Sequence, residues 1–293
     1  MNPKYGTLDV RYNNKRLWFE DHTAYESRNK SMVSLIKDAW ELLIRSDEEE
    51  DRERFFTLYT DDIFNPYCHY SFSSRCPETA RRSMPNFIFE AWPECGMAGY
   101  EQVFAEMARL GSFPYEDERA FWIGNVAMEV VTYAPRRMGA AVARKDPGLI
   151  DFKSVDWKNK GLDQFKHTPG YTTLPDHCRY RVLIDFGGAG FSARIPLLLA
   201  SGRPVILVGH PEEAWFYWDG TLVPWVHYVP CGAKDGRDVS EELIRDALRW
   251  TFDNASQADD IGVRGREYAE KHLTRRAALE RIGEMMSKHG AEY

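Results

Sequence analysis

The stretch that decides the fold is Arg181–Gly209, RVLIDFGGAGFSARIPLLLASGRPVILVG. RVLIDF is an apolar run of strand length, and PVILVG is a second one. Between them lie a glycine turn and ARIPLLLASG, a short helical pattern closed by Gly202. Strand, helix and strand in so few residues predict a βαβ unit with two parallel, buried strands. Such a unit binds ligands at the carboxyl ends of its strands, where Gly187, Gly188 and Gly190 let the backbone turn tightly. Ser192 is a natural cap for the helix that follows. The unpaired N–H groups at that helix start favour an anion, and Arg194, one turn further, has the planar fork that grips a phosphate. The bland reading of the same residues is a tight βα turn with a surface arginine.

A second chemistry fits the same turn. Gly188-Ala-Gly190-Phe-Ser-Ala193 satisfies GxGxxA, and Glu212 or Glu213 stands about 20 residues on, as a dinucleotide fingerprint requires. A nicotinamide-dependent oxidoreductase therefore stays open, although the turn lies well past the middle of the chain.

Working outward, the pattern is α/β throughout. A helix is expected over about Ala24–Arg45, followed by the strand-like RFFTLYT ending at Asp61-Asp62. The stretch Tyr67–Pro93 is aromatic and irregular. A helix follows over Gly99–Leu110, then a linker-like GSFPYED and the strand AFWIGN. Another helix near Pro135–Lys145, a strand near Leu149–Phe152 and amphipathic helices near 240–251, 261–272 and 275–288 complete the chain. Two domains meeting near residue 115 are expected, 1–115 and 116–273, with 274–293 a C-terminal helix returning towards the first. A carboxylate at a strand end can act as a general base, so Asp61 and Asp62 are candidates, against the commoner use of paired Asp as a turn. His227, in Pro224-Trp-Val-His-Tyr-Val-Pro230, could contact a phosphate or a sugar hydroxyl, or simply pack on an edge strand.

Composition narrows the classes. The 293 residues are 43% hydrophobic, enough for a real core, and 14% aromatic. The 38 basic and 45 acidic residues give a net charge of −7, which argues against a bulk electrostatic grip on nucleic acid. No apolar run spans a membrane, and the polar N-terminus lacks a signal-peptide pattern. Five cysteines without metal-ligand spacing suit a reduced, cytoplasmic, zinc-free protein. GxSxG, the P-loop and Asp-x-Asp are all missing, so a hydrolase elbow, a P-loop phosphate cradle and a carboxylate-held metal on a sugar nucleotide lack their usual motifs.

The residues DHCRYRVLIDFGGAGFSARIPLLLASGRPVILVG and PWVHYVP resemble glycosyltransferase family 90. Tyr70-Ser-Phe-Ser73, Ala120-Phe-Trp-Ile-Gly124, ARKDPGLID (143–151) and Glu267–Leu273 resemble further segments of it, over roughly residues 55–290. The resemblance implies a GT-B fold, two Rossmann-like domains facing a cleft, and inverting transfer from a UDP-sugar without an obligatory metal or other cofactor. It implies UDP-xylose, favoured here, or UDP-glucose as donor, and a glycan or glycoprotein hydroxyl as acceptor. It places the nucleotide on the C-terminal domain, with Gly188, Gly190, Phe191, Ser192, Arg194, Glu213 and His227 about it. It makes Asp61 the general base, with Asp62 one position off. The family's FxRG arginine is Ile123 here, and Arg137 or its neighbour Arg136 is the expected substitute. That loss also leaves open a catalytically weak, glycan-binding relative. A small, trimmed cytoplasmic member of this kind is expected in a microbe or a large virus.

Overall fold

The computed structural model describes residues 6–13, 15–22, 26–44, 53–61, 65–72, 81–126, 134–155, 170–188, 192–209, 221–232 and 238–289. The chain divides into two compact units. The first comprises Met1–Trp92, Trp215–Asp219 and Leu273–Tyr293, and the second Pro93–Ala214 and Gly220–His272.

The first unit opens with a hairpin that a search for apolar runs passes over. Strands β1 (Thr7–Tyr12) and β2 (Leu17–His22) pair antiparallel, and β1 also pairs antiparallel with β3 (Arg54–Tyr59). Only β4 (Tyr70–Ser71) runs parallel to its neighbour β3. The sheet order is β2-β1-β3-β4. It is therefore a mixed sheet, and the parallel, Rossmann-like pattern expected for the N-terminal half is not what these strands form. The alternation of TLDVRY explains the hairpin. Leu8, Val10 and Tyr12 are fully buried on one face, while Thr7, Asp9 and Arg11 take the other.

The apolar face of this sheet belongs to a core shared with two helices. Helix α1 (Glu26–Ala39) continues as a π-helical turn, Trp40–Ile44, and buries Met32, Leu35, Ile36 and Ala39. The last helix of the chain, which we number α7 (Arg275–Lys288), packs on α1. Tyr12 Oη donates to the Met286 carbonyl at 2.6 Å, and Tyr70 Oη donates to that of Met285 at 3.1 Å. Arg275 pairs with Glu90 at 2.6 Å and with Asp38.

The second unit holds a five-stranded, wholly parallel sheet. Its strands are β5 (Asp117–Gly124), β6 (Ile150–Ser154), β7 (Tyr180–Phe186), β8 (Val205–Val208) and β9 (Val229–Cys231). Their spatial order is β6-β5-β7-β8-β9. Helices α3 (Ala134–Lys145) and α5 (Glu241–Asp253) bring Val142, Ile244 and Leu248 into one core with Trp122, Ile184, Phe186 and Val208. Helix α4 (Ile195–Ala200) is buried along its whole length, and α2 (Tyr100–Gly111) and α6 (Ala255–His272) pack against it. Helix α2 thus belongs to the second unit, which begins at Pro93, upstream of the boundary expected near 115.

No helix among the described residues is long and apolar enough to cross a membrane. Cys68, Cys95, Cys178 and Cys231 are free thiols, and Cys76 lies outside the described residues.

Candidate functional site

The βαβ unit read from Arg181–Gly209 is present as β7-α4-β8 with parallel strands. Counted in chain order, the sheet of the second unit runs second, first, third, fourth, fifth. Its topological switch point falls between β5 and β7, and ligands of open α/β sheets bind outside the carboxyl ends of such strands.

Arg194 bridges that point. Its Nε donates to Asp185 Oδ1 on β7 at 2.7 Å, and its Nη1 donates to the Ile123 carbonyl at the end of β5 at 2.6 Å. The Asp185 side chain is wholly buried and that of Arg194 is 12% exposed. A carboxylate is tolerated there because the guanidinium neutralises it, and the pair fixes the fork of Arg194 in one orientation. Nη2 makes no hydrogen bond to the described residues, so that nitrogen remains available to a ligand.

A second guanidinium reaches the same place from α3. Arg136 Nη1 donates to the Asn125 carbonyl at 3.1 Å, just past β5. The Trp122 ring lies against both arginines, each guanidinium carbon 5.6 Å from its centroid. Arg136 also closes on Gly188, where a Cβ would stand 2.7 Å from Nη2 and push the end of that side chain aside. Lys153 adds a third cation on β6, in register with Ile123, its Nζ donating to Thr172 Oγ1 at 3.0 Å. His177 packs on Phe121 at 4.7 Å between ring centroids. Burial, reinforced by the charge of Arg194, pushes its pKa down to about 3, so the ring is neutral at ordinary pH.

These placements revise several expectations. Ser192 does not cap α4. The helix begins at Ile195 with Arg194 itself at the cap position, and the Ser192 carbonyl accepts from the Ile195 N–H at 3.3 Å. Pro196 near the helix start explains the displacement, because proline suits a first turn and lacks the N–H a cap would serve. With α4 only six residues long, the fixed guanidinia outweigh its dipole as the source of positive field. Ile123 is a core residue, 6% exposed, and contributes its backbone carbonyl where an arginine side chain was sought. Arg136 is the arginine at the switch point, whereas Arg137 is exposed on α3.

His227 is not part of this arrangement. It precedes β9, at the amino end of a parallel sheet whose carboxyl ends form the site. Its Nδ1 accepts from the Val223 N–H at 2.9 Å and its ring lies on Tyr268 at 4.7 Å, the packed alternative. Asp61 directly follows β3 and Thr60 in the first unit, partly buried, with Tyr59 Oη donating to its Oδ2 at 3.5 Å. Asp62, Gly190, Phe191 and Glu213 lie outside the described residues. Asp185 is a site residue that the sequence motifs do not single out, although a carboxylate inside RVLIDF is a detectable signal. Charges in buried strands need a partner, and the next arginine past the turn is Arg194.

Comparison with known proteins addresses the same residues. The description "Glycosyl transferase family 90" matches residues 47–290. "O-glucosyltransferase rumi" of Drosophila pseudoobscura pseudoobscura is 32% identical over 137 residues, which is 45% of this chain and 32% of that protein. "Protein O-glucosyltransferase 1" of Homo sapiens is also 32% identical over 137 residues, with the same coverage of 45% and 32%. The "O-glucosyltransferase rumi homolog" of Anopheles gambiae is 36% identical over 137 residues, again 45% of this chain and 32% of the other. The chain thus spans about a third of the length of the curated relatives it matches. The family match covers most of the chain and includes the βαβ unit, the switch point and Arg194, so this chain belongs to glycosyltransferase family 90.

Proposed function

We propose that the protein is an inverting glycosyltransferase that moves a sugar from a UDP-sugar to a hydroxyl of a glycan or protein. The observation that carries this reading is Arg194, locked by buried Asp185 and the Ile123 carbonyl at the switch point of a parallel sheet, with Nη2 making no hydrogen bond to the described residues. In this reading the donor diphosphate accepts from Nη2, and Arg136 supplies a second positive charge. Asp61 removes the proton of the acceptor hydroxyl, whose oxygen attacks C1 of the donor sugar opposite the departing UDP. Charge accumulates on the diphosphate as the C1–O bond breaks, and the fixed guanidinia stabilise it without help from a metal ion. The second unit, in this reading, binds the donor, and the first, built on a mixed sheet, receives the acceptor. The names of the relatives favour UDP-glucose as donor, with UDP-xylose second.

UDP release is the direct test, measured with UDP-glucose, UDP-xylose, UDP-galactose and UDP-N-acetylglucosamine, with and without EDTA. Hydrolysis of one donor, unchanged by EDTA, names the sugar and supports the metal-free mechanism. Stabilisation by UDP without release from any donor selects the catalytically weak, glycan-binding reading. Stabilisation by NAD and not by UDP overturns both in favour of the dinucleotide alternative. Asp61→Asn is expected to reduce turnover by a factor of about a hundred or more and to leave UDP affinity nearly unchanged. Retention of a tenth of the activity removes Asp61 as the base.

A further inference from the structure

The face of the first sheet that carries Thr7, Asp9 and Arg11 holds a cluster that the proposed transferase reaction does not use. Asp9 on β1 faces Glu20 on β2 in direct cross-strand register, and His22 stands two residues further along β2 on the same face. One donor atom from each of the three lies within 4.8 Å of the others. The geometry points to a divalent transition-metal site of the zinc type, held by Asp9, Glu20 and His22.

Three observations support it. First, His22 Nε2 is 3.5 Å from Asp9 Oδ2 and 3.5 Å from Glu20 Oε1. Those separations are long for hydrogen bonds, and Nε2 is shut off from solvent with no hydrogen bond to the described residues. They instead match the edge of a tetrahedron around an ion with bonds of about 2.1 Å, an edge of about 3.4 Å. Second, Asp9 is ordered towards the imidazole. Thr57 Oγ1 donates to Asp9 Oδ1 at 2.7 Å, leaving Oδ2 on the side of His22, as outer partners orient metal ligands. The Asp9 side chain is 8% exposed, whereas that of Glu20 is 59% exposed and can rotate to close the remaining gap. Third, Asp9 and Glu20 also line a cavity of about 300 Å³ with Arg11 and Trp18. Three protein ligands leave a zinc-type ion one open position, and a cavity at the ligands gives that position somewhere to face. One imidazole and two carboxylates are borderline-to-hard donors, which suits Zn²⁺ ahead of Ca²⁺ or Cu⁺.

The test uses the full chain, stripped with EDTA and dialysed, with Zn²⁺ titrated against a chromophoric chelator. One Zn²⁺ per chain is expected, with binding weakened at least tenfold by His22→Ala, by Asp9→Asn and by Glu20→Gln. Should burial make Asp9→Asn or His22→Ala fold poorly, the exposed Glu20→Gln decides alone. Co²⁺ substitution is expected to give strong visible absorption without a thiolate-to-metal charge-transfer band. Undiminished Zn²⁺ binding in Glu20→Gln, a thiolate band from the free cysteines, or no Zn²⁺ uptake at all overturns the site.

Discussion

At the scale of single residues, Arg194 and Asp185 are one unit, which dictates how the donor site has to be probed. Arg194→Ala would strand a fully buried carboxylate, a loss of about 3–5 kcal/mol when a buried pair is broken from one side. Such a variant is inactive for the wrong reason. Arg194→Lys keeps the charge beside Asp185 and removes the planar fork. We expect it to fold and to bind UDP at least tenfold more weakly by calorimetry, and unaltered affinity would show that the fork does not hold the diphosphate. His177 gives a second, independent readout. Its pKa lies near 3 in the folded protein, mainly through burial, against about 6.5 when unfolded. The unfolded chain therefore binds more protons between those values, so stability is complete above about pH 6.5 and falls as the pH is lowered towards 3. His177→Phe, beside Phe121, should flatten that part of the profile in urea unfolding at pH 7 and pH 5. An unchanged acid slope would assign the loss to other groups.

At the scale of elements, glycines report which close approaches are structural and which belong to the site. A Cβ on Gly265 of α6 would stand 2.6 Å from the His227 carbonyl oxygen, backbone against backbone. Gly265→Ala should lower stability by about 1–3 kcal/mol, seen as a reduced urea midpoint. At Gly188 the obstacle is the mobile end of Arg136. Gly188→Ala should leave the midpoint almost unchanged and weaken UDP binding as Arg136 is pushed aside. Equal losses of stability in both variants would contradict this division. The elements also show what the sequence could reveal. The unit β7-α4-β8 was legible because two apolar runs flank a glycine turn, and its Arg194 was legible with it. The hairpin β1–β2 was not, because the apolar residues of β1 alternate with Asp9 and Arg11 and form no run. Neither was the switch point, since it depends on β6 pairing outside β5, a long-range choice that no local pattern encodes. For the same reason Arg136 could not be separated from Arg137, and His227 could not be assigned to the opposite edge of the sheet.

At the scale of the whole molecule, the chain's two ends meet in one unit. The first unit begins with β1 and is completed by α7, more than 260 residues later. Helix α7 and the two residues before it bury Leu273, Leu279, Ile282, Met285 and Met286, each 5% exposed or less. At about 1.5–3 kcal/mol for each buried side chain, these five contribute of the order of 10 kcal/mol, comparable with the net stability of an entire domain. Their removal also takes away the carbonyls that Tyr12 and Tyr70 bond. A chain stopped at His272 is therefore expected to lose the first unit's packed core, whatever happens in the second. Limited proteolysis reads this directly. Rapid cleavage within residues 1–92 should appear in the shortened chain and not in the full one, while 93–272, most of which forms a compact unit of its own, should persist longer. Equal protection of residues 1–92 in both chains would mean that the sheet and α1 suffice for that core, and that α7 is an attachment to it.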